Sequence, residues 1–126
     1  MAQQGYLVRV PPDMWSVNHT PAAATQATIS KAAAATLRHY CTGIAAVISA
    51  VAAQAGIQVN LRDGASGAGT ILWSQTIALP VGGIAIIQIS GLNIPGTLGN
   101  AMTLETSAAP ASTNFASVSM TVYDES

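Results

Sequence analysis

The sequence predicts an all-β domain, a β-sandwich or jelly roll of about seven to eight antiparallel strands with an extended N-terminal arm. Three observations point there. Apolar and polar residues alternate with period two in several separate segments. Glycine (11) and proline (6) interrupt these segments at regular intervals. The side chains are small: charged residues are 7% of the chain, the apolar set is 50%, and there are only one Phe, three Tyr and two Trp. Layers built from such residues are thin and closely packed. Area scaling for 12.7 kDa gives roughly 18,000 Å² exposed unfolded and roughly 6,000 Å² folded, enough burial for one domain with one core.

The elements follow in chain order. Residues 1–20 read as an arm and 21–126 as the sandwich. Within the arm, residues 6–10 offer an extra strand, while residues 11–21 hold three prolines, Asp13 and Asn18 with little periodicity. In residues 22–55 the alanine runs favour helix, but Thr28, Ile29, Tyr40, Thr42, Ile44, Val47 and Ile48 are β-branched or aromatic and Gly43 would weaken a helix. Strands over residues 27–33 and 37–50 are therefore expected, with a single helix over residues 44–55 as the alternative. Ile57, Val59 and Leu61 alternate with Gln58, Asn60 and Arg62, a half-buried strand. The loop from Asp63 to Gly69 leads into residues 70–79, where Ile71, Trp73 and Ile77 are expected on one face, and the two strands read as a hairpin. Residues 84–89 are almost continuously apolar, which predicts a strand covered on both faces, central or at an interface. After the turn Asn93-Ile94-Pro95-Gly96, Met102 and Leu104 oppose Thr103 and Glu105 within residues 101–107. The last strand, residues 115–123, sets Ala116, Val118, Met120 and Val122 against Ser117, Ser119 and Thr121; Asp124 and Glu125 are expected in solvent.

Chemistry is sparse. His19 and His39 form no HxH or HxxxH pair and the acids are scattered, so no metal or cofactor is expected. Composition admits a Ser/His/Asp triad, but there is no G-x-S-x-G elbow, and the expectation is a protein that is not an enzyme and takes no small-molecule substrate. His39 reads as a satisfied structural side chain and the lone Cys41 as a small buried hydrophobe. The glycine loop 64–69 has the amides of an anion cradle, yet no Lys-Ser or Lys-Thr follows it, and a hairpin turn is the simpler account. Asn18-His19-Thr20 matches a glycosylation sequon, with no basic-plus-apolar signal sequence to give it meaning. Arg9, Lys31, Arg38 and Arg62 make no basic stripe, so no nucleic acid is expected. The most apolar stretch, residues 44–55, is too short for a membrane-spanning helix, so no membrane is expected. Trp73 reads as core; Trp15, in the arm, suits either burial or docking on a partner. A surface with so little charge has weak protection against association and suits an assembled protein.

Three strand sequences, Ala27-Thr28-Ile29-Ser30-Lys31, Leu37-Arg38-His39-Tyr40-Cys41-Thr42-Gly43-Ile44 and Val59-Asn60-Leu61-Arg62-Asp63-Gly64, resemble those of small virion structural proteins of tailed bacteriophages. So do Gly67-Ala68-Gly69-Thr70 with Leu72-Trp73-Ser74, and, in the latter half, Ser90-Gly91-Leu92-Asn93-Ile94, Ala101-Met102-Thr103-Leu104-Glu105 and Val118-Ser119-Met120-Thr121-Val122-Tyr123-Asp124. The resemblance spans residues 21–124 and is one of strands and turns. It implies a head decoration, or cement, protein made in the host cytoplasm and placed on the outer capsid surface of the virion. There it would bridge neighbouring copies of the major capsid protein and stabilise only the assembled shell. A homo-oligomer, trimer or dimer, is implied as well. The arm, with Met14, Trp15 and His19, is the expected capsid contact, and Ile84, Ile86 and Ile87 the expected protomer interface. The alternative is a receptor- or carbohydrate-binding β-sandwich module of a tail fibre or baseplate.

Overall fold

The hairpin around residues 63–69 is the pivot of the fold. A computed structural model describes residues 15–107 and 115–126. In it β4 (Gln54–Asp63) and β5 (Thr70–Leu79) pair antiparallel across that loop. From there the two halves of the chain run back alongside one another. β3 (Arg38–Ser49) pairs β6 (Ile84–Ile89), β2 (Thr28–Lys31) pairs β8 (Met102–Thr106), and β1 (Trp15–His19) pairs β9 (Phe115–Glu125), all antiparallel. The short β7 (Ile94–Pro95) adds to β3 beyond the end of β6.

This long hairpin is rolled up, so that β9 also pairs β3 and β8 also pairs β4. Two sheets result, with strand orders β1-β9-β3-β6 and β2-β8-β4-β5. That order is the jelly roll, and it decides between the two all-β architectures that the sequence admits. Ile44, Ile48, Val118, Met120 and Val122 from the β3 sheet meet Val59, Leu61, Met102 and Leu104 from the β4 sheet, all buried. Ala27, Ala46, Ala50 and Ala116 are buried among them.

The alternation over residues 57–61 and 116–122 places the expected residues inward. Residues 44–55 are not helical; they complete β3 and start β4. A one-residue register shift between Cys41 and Gly43 sets which side of β3 is inside. Before it His39 and Cys41 point in; after it Ile44, Ala46 and Ile48 do.

Several expectations are corrected. Residues 15–19 are not a free arm but an edge strand, because Trp15 and His19 alternate with exposed Ser16 and Asn18 and β9 offers an open ladder. The proposed strand at 6–10 lies outside the described residues. β6 is an edge strand rather than one covered on both faces, since among the described residues β3 is its only sheet neighbour, and Ile84 and Ile86 are exposed. In β5 a shift between Leu61 and Arg62 against Trp73 and Ile71 breaks the common face: Ile71 is exposed while Leu72, Trp73 and Ile77 pack on the core. All five residues of β8 are buried, because the 63–69 loop folds back over Thr103 and Glu105. Asp124 is buried instead of solvated.

Candidate assembly interface

Most of the described charged groups are satisfied inside the protein itself. Glu105, 1% exposed, accepts from Arg62 Nε at 2.7 Å, from the Gly67 amide at 2.8 Å and from the Ser66 hydroxyl. The glycine loop is the hairpin turn expected, and its Gly67 amide and Ser66 hydroxyl are turned on the protein's own carboxylate. Burial pushes the Glu105 carboxyl up, but the bonds from Ser66, Gly67 and Arg62 outweigh it and hold it below the usual glutamate range. Asp63 accepts from the Thr97 amide at 3.0 Å, the Thr97 hydroxyl at 2.5 Å and Asn100 Nδ2 at 3.3 Å. Those bonds likewise outweigh burial and lower its pKa. At the same end of the sandwich as Asp63, since Lys31 and Asp63 both pair with Met102, Asp124 meets His39 Nδ1 at 2.5 Å and Lys31 Nζ at 3.7 Å, while His39 Nε2 donates to the Ala32 carbonyl at 2.8 Å. His39 is the satisfied structural side chain expected. Cys41 is buried, and desolvation, slightly offset by its bond to the Gly43 carbonyl, pushes its thiol up to about 11.

The outer face of the β3 sheet presents a surface free of charged side chains along its depressions. Register places Asn18, Ser119, Ala45 and Gln88 in one line across β1, β9, β3 and β6. The neighbouring line is Ser117, Val47 and Ile86. A shallow depression of about 410 Å³ runs between Ser16, Asn18, Ala45, Val47, Ser117 and Ser119. A second, of about 190 Å³, adjoins it at Gly43, Gln88 and Thr121. No side chain lining either depression is charged. Arg38 and Glu125, opposite one another in register, stand at one end of the face. Beside them the Tyr40 and Tyr123 rings stack at 4.9 Å, next to a hollow of about 300 Å³ lined by Arg38, Tyr40, Leu98 and Glu125.

The residues expected to make contacts do not converge. Met14 lies outside the described residues. Trp15 is half-buried against the core, with the Lys31 ammonium 5.5 Å from its ring centroid. His19 accepts the Thr28 amide at 3.1 Å on Nδ1. Both therefore hold β1 in place, and their neighbours Ser16 and Asn18 face outward. Ile84 and Ile86 are exposed at the opposite edge, whereas Ile87 is a core residue and unavailable to a partner. Ser117, Ser119 and Thr121 were visible in the sequence only as the polar side of a strand. Tyr40 and Tyr123 are far apart in the chain, and no local pattern pairs them.

The chain matches no protein-family model and no curated protein. Among solved structures it is similar to the coat protein of Tobacco streak virus, at 9% identity over 92% of this chain and 90% of that one, with a TM-score of 0.40. It is also similar to a Bacillus endospore appendage, from a family of disulfide-linked pili, at 19% identity over 90% and 87% of the two chains and a TM-score of 0.35. A third is the carbohydrate-binding module CBM36 in complex with calcium and xylotriose, at 13% identity over 82% and 76%, TM-score 0.35. Superpositions this loose carry no argument about function.

Proposed function

We propose that the protein is a structural component of a phage virion that decorates the outside of the capsid and stabilises it by bridging neighbouring copies of the major capsid protein. The observation that carries this reading is the uncharged outer face of the β3 sheet. Burying a charged surface in a protein interface requires each charge to be matched, whereas Ser, Thr, Ala and Val can be covered at little desolvation cost. Binding repeated over many equivalent lattice positions stabilises the shell even when each contact is weak, provided the protein recognises only the assembled state. The jelly roll recurs in viral capsid and lectin domains, an analogy of fold that agrees with the reading and does not decide it. The sequence resemblance to small virion structural proteins of tailed bacteriophages supports a place in the virion, and decoration of the head is what that resemblance implies.

The test is co-sedimentation of the purified protein with expanded, DNA-free phage heads that lack it, followed by cryo-microscopy of the pellet. Saturable density at regular lattice positions, lost in an Ala45→Arg or Ser119→Lys variant that still folds, is the expected result. The rival reading, a carbohydrate-binding module, is favoured by one feature, the Tyr40–Tyr123 stack beside its hollow. Glycan binding that Tyr123→Ala removes, with the protein left in the supernatant of the capsid assay, would establish that reading instead.

A further inference from the structure

We infer that β6 is a strand-addition edge, and that its occupant is β6 of a second copy of this chain, paired antiparallel about a twofold axis at Ile86. The inference goes beyond capsid decoration and stands whether or not the protein docks on a head.

The hydrogen-bond phase of β6 fixes which of its groups are open. The Ala50 amide donates to the Gly83 carbonyl at 2.9 Å, so Gly83 faces β3. Successive residues of an antiparallel strand turn their amide and carbonyl to alternate sides. Ala85, Ile87 and Ile89 therefore bond β3, whereas Ile84, Ile86 and Gln88 direct theirs away from the sheet. β3 is the only sheet neighbour of β6 among the described residues.

Natural sheets guard such edges with charge, proline, bulges or brevity. The other edges here do so. β1 has five residues; β2 has four and ends in Lys31; β5 pairs with β4 through two register shifts. β6 has six residues, Ile-Ala-Ile-Ile-Gln-Ile, with no charge, no proline and no register shift against β3. Ile84 and Ile86 are 65% and 71% exposed, and Val81 just before the strand is 71% exposed.

A second copy fits this edge for two reasons. The open residues are symmetric about Ile86, so a twofold there sets Ile86 against its own copy and Ile84 against Gln88 of the partner subunit, and every outward amide and carbonyl finds a partner. The strand is also uncharged, so no like charges meet across the axis of such an isologous, self-complementary contact. Pairing joins two five-stranded β3 sheets into one, eight strands across at the axis, and makes their uncharged outer faces continuous. A contact confined to one strand edge and its flanking side chains is small, and small interfaces are weak. Self-association is therefore expected in the micromolar range or above.

The test measures mass by sedimentation equilibrium and amide exchange by NMR on the full chain, from low micromolar to submillimolar concentration. The expected result is a reversible monomer–dimer equilibrium in which the amides of Ile84, Ile86 and Gln88 become protected as concentration rises, while those of Ala85, Ile87 and Ile89 are protected throughout. Gln88→Pro, which deletes only an outward amide, and Ile86→Lys, which sets two charges on the axis, should each weaken self-association at least tenfold with the circular dichroism spectrum unchanged. Three outcomes overturn the inference. The outward amides exchange freely at the highest concentration, or they are protected equally at every dilution because the chain covers its own edge, or dimerisation survives both variants. The exchange pattern of the unaltered chain decides even if a variant fails to fold.

Discussion

Glu105 shows how a nearly uncharged protein uses the charges it has. It joins β8 to Arg62 of β4 and to the amide and hydroxyl of the 63–69 loop, so removing its charge strands three donors at once. Glu105→Gln is expected to destabilise the fold by about 3 kcal/mol, as for other buried ion pairs that lose one partner, measured by urea denaturation. The pH dependence follows from the direction of the shift. Glu105 and Asp63 titrate lower in the folded protein than in the unfolded chain. Their stabilising effect is complete above the ordinary carboxylate range and is lost as pH falls through that range towards the folded values. Thermal melts between neutral pH and pH 3 should show an acid loss of stability that is smaller in Glu105→Gln. Cys41 makes the complementary point: buried, with its thiol pushed up to about 11, it carries almost no thiolate near neutral pH. Iodoacetamide at pH 8 should leave the native protein unmodified and alkylate it in denaturant; rapid native labelling would contradict the described burial.

At the scale of the element, the β4–β5 loop depends on a close backbone approach. A Cβ on Gly69 would lie 2.6 Å from the Asp63 carbonyl oxygen and 2.8 Å from the Gly64 Cα. Gly69→Ala must open the loop, and the Arg62 bond to the Gly69 carbonyl and the cradle around Glu105 loosen with it. A loss of about 1–3 kcal/mol is expected from this overpacking, whereas Ala68→Gly in the same loop should cost far less. The loop was legible in the sequence as a turn, from its glycines and the alternating strands either side. That its Gly67 amide and Ser66 hydroxyl are spent on Glu105 was not, because the partner lies about forty residues further on and is recruited only when β8 pairs β4. The same limit applies within β3, where nothing in Cys41-Thr42-Gly43 announces the shift that moves Ala45 and Val47 to the outer face.

At the scale of the molecule, the rolled hairpin makes its outermost ladder from the most distant segments, Trp15 opposite Val122 and His19 opposite Val118. Closing such pairs requires most of the chain to be ordered first, and folds dominated by non-local pairing refold in milliseconds to seconds. Stopped-flow refolding is expected to fall in that range. A microsecond phase accounting for the full amplitude would contradict the topology. The proposed capsid contact belongs to this scale too: Ser16, Asn18, Ala45, Val47, Ser117 and Ser119 come from three strands and form one surface only after rolling.

Local pattern was enough for the all-β class, the strands at 57–62, 84–89 and 115–123 to within a few residues, the pivot hairpin and the structural role of His39, because period-two alternation and glycine-rich turns act over a few residues. It took the packed fold to show that residues 15–19 join a sheet, that residues 84–89 form an edge, that Asp124 and Glu105 are buried, and which uncharged side chains share a face. Each of those depends on which strand lies alongside, and strand neighbours are chosen by burying the whole core at once rather than by any residue's local pattern.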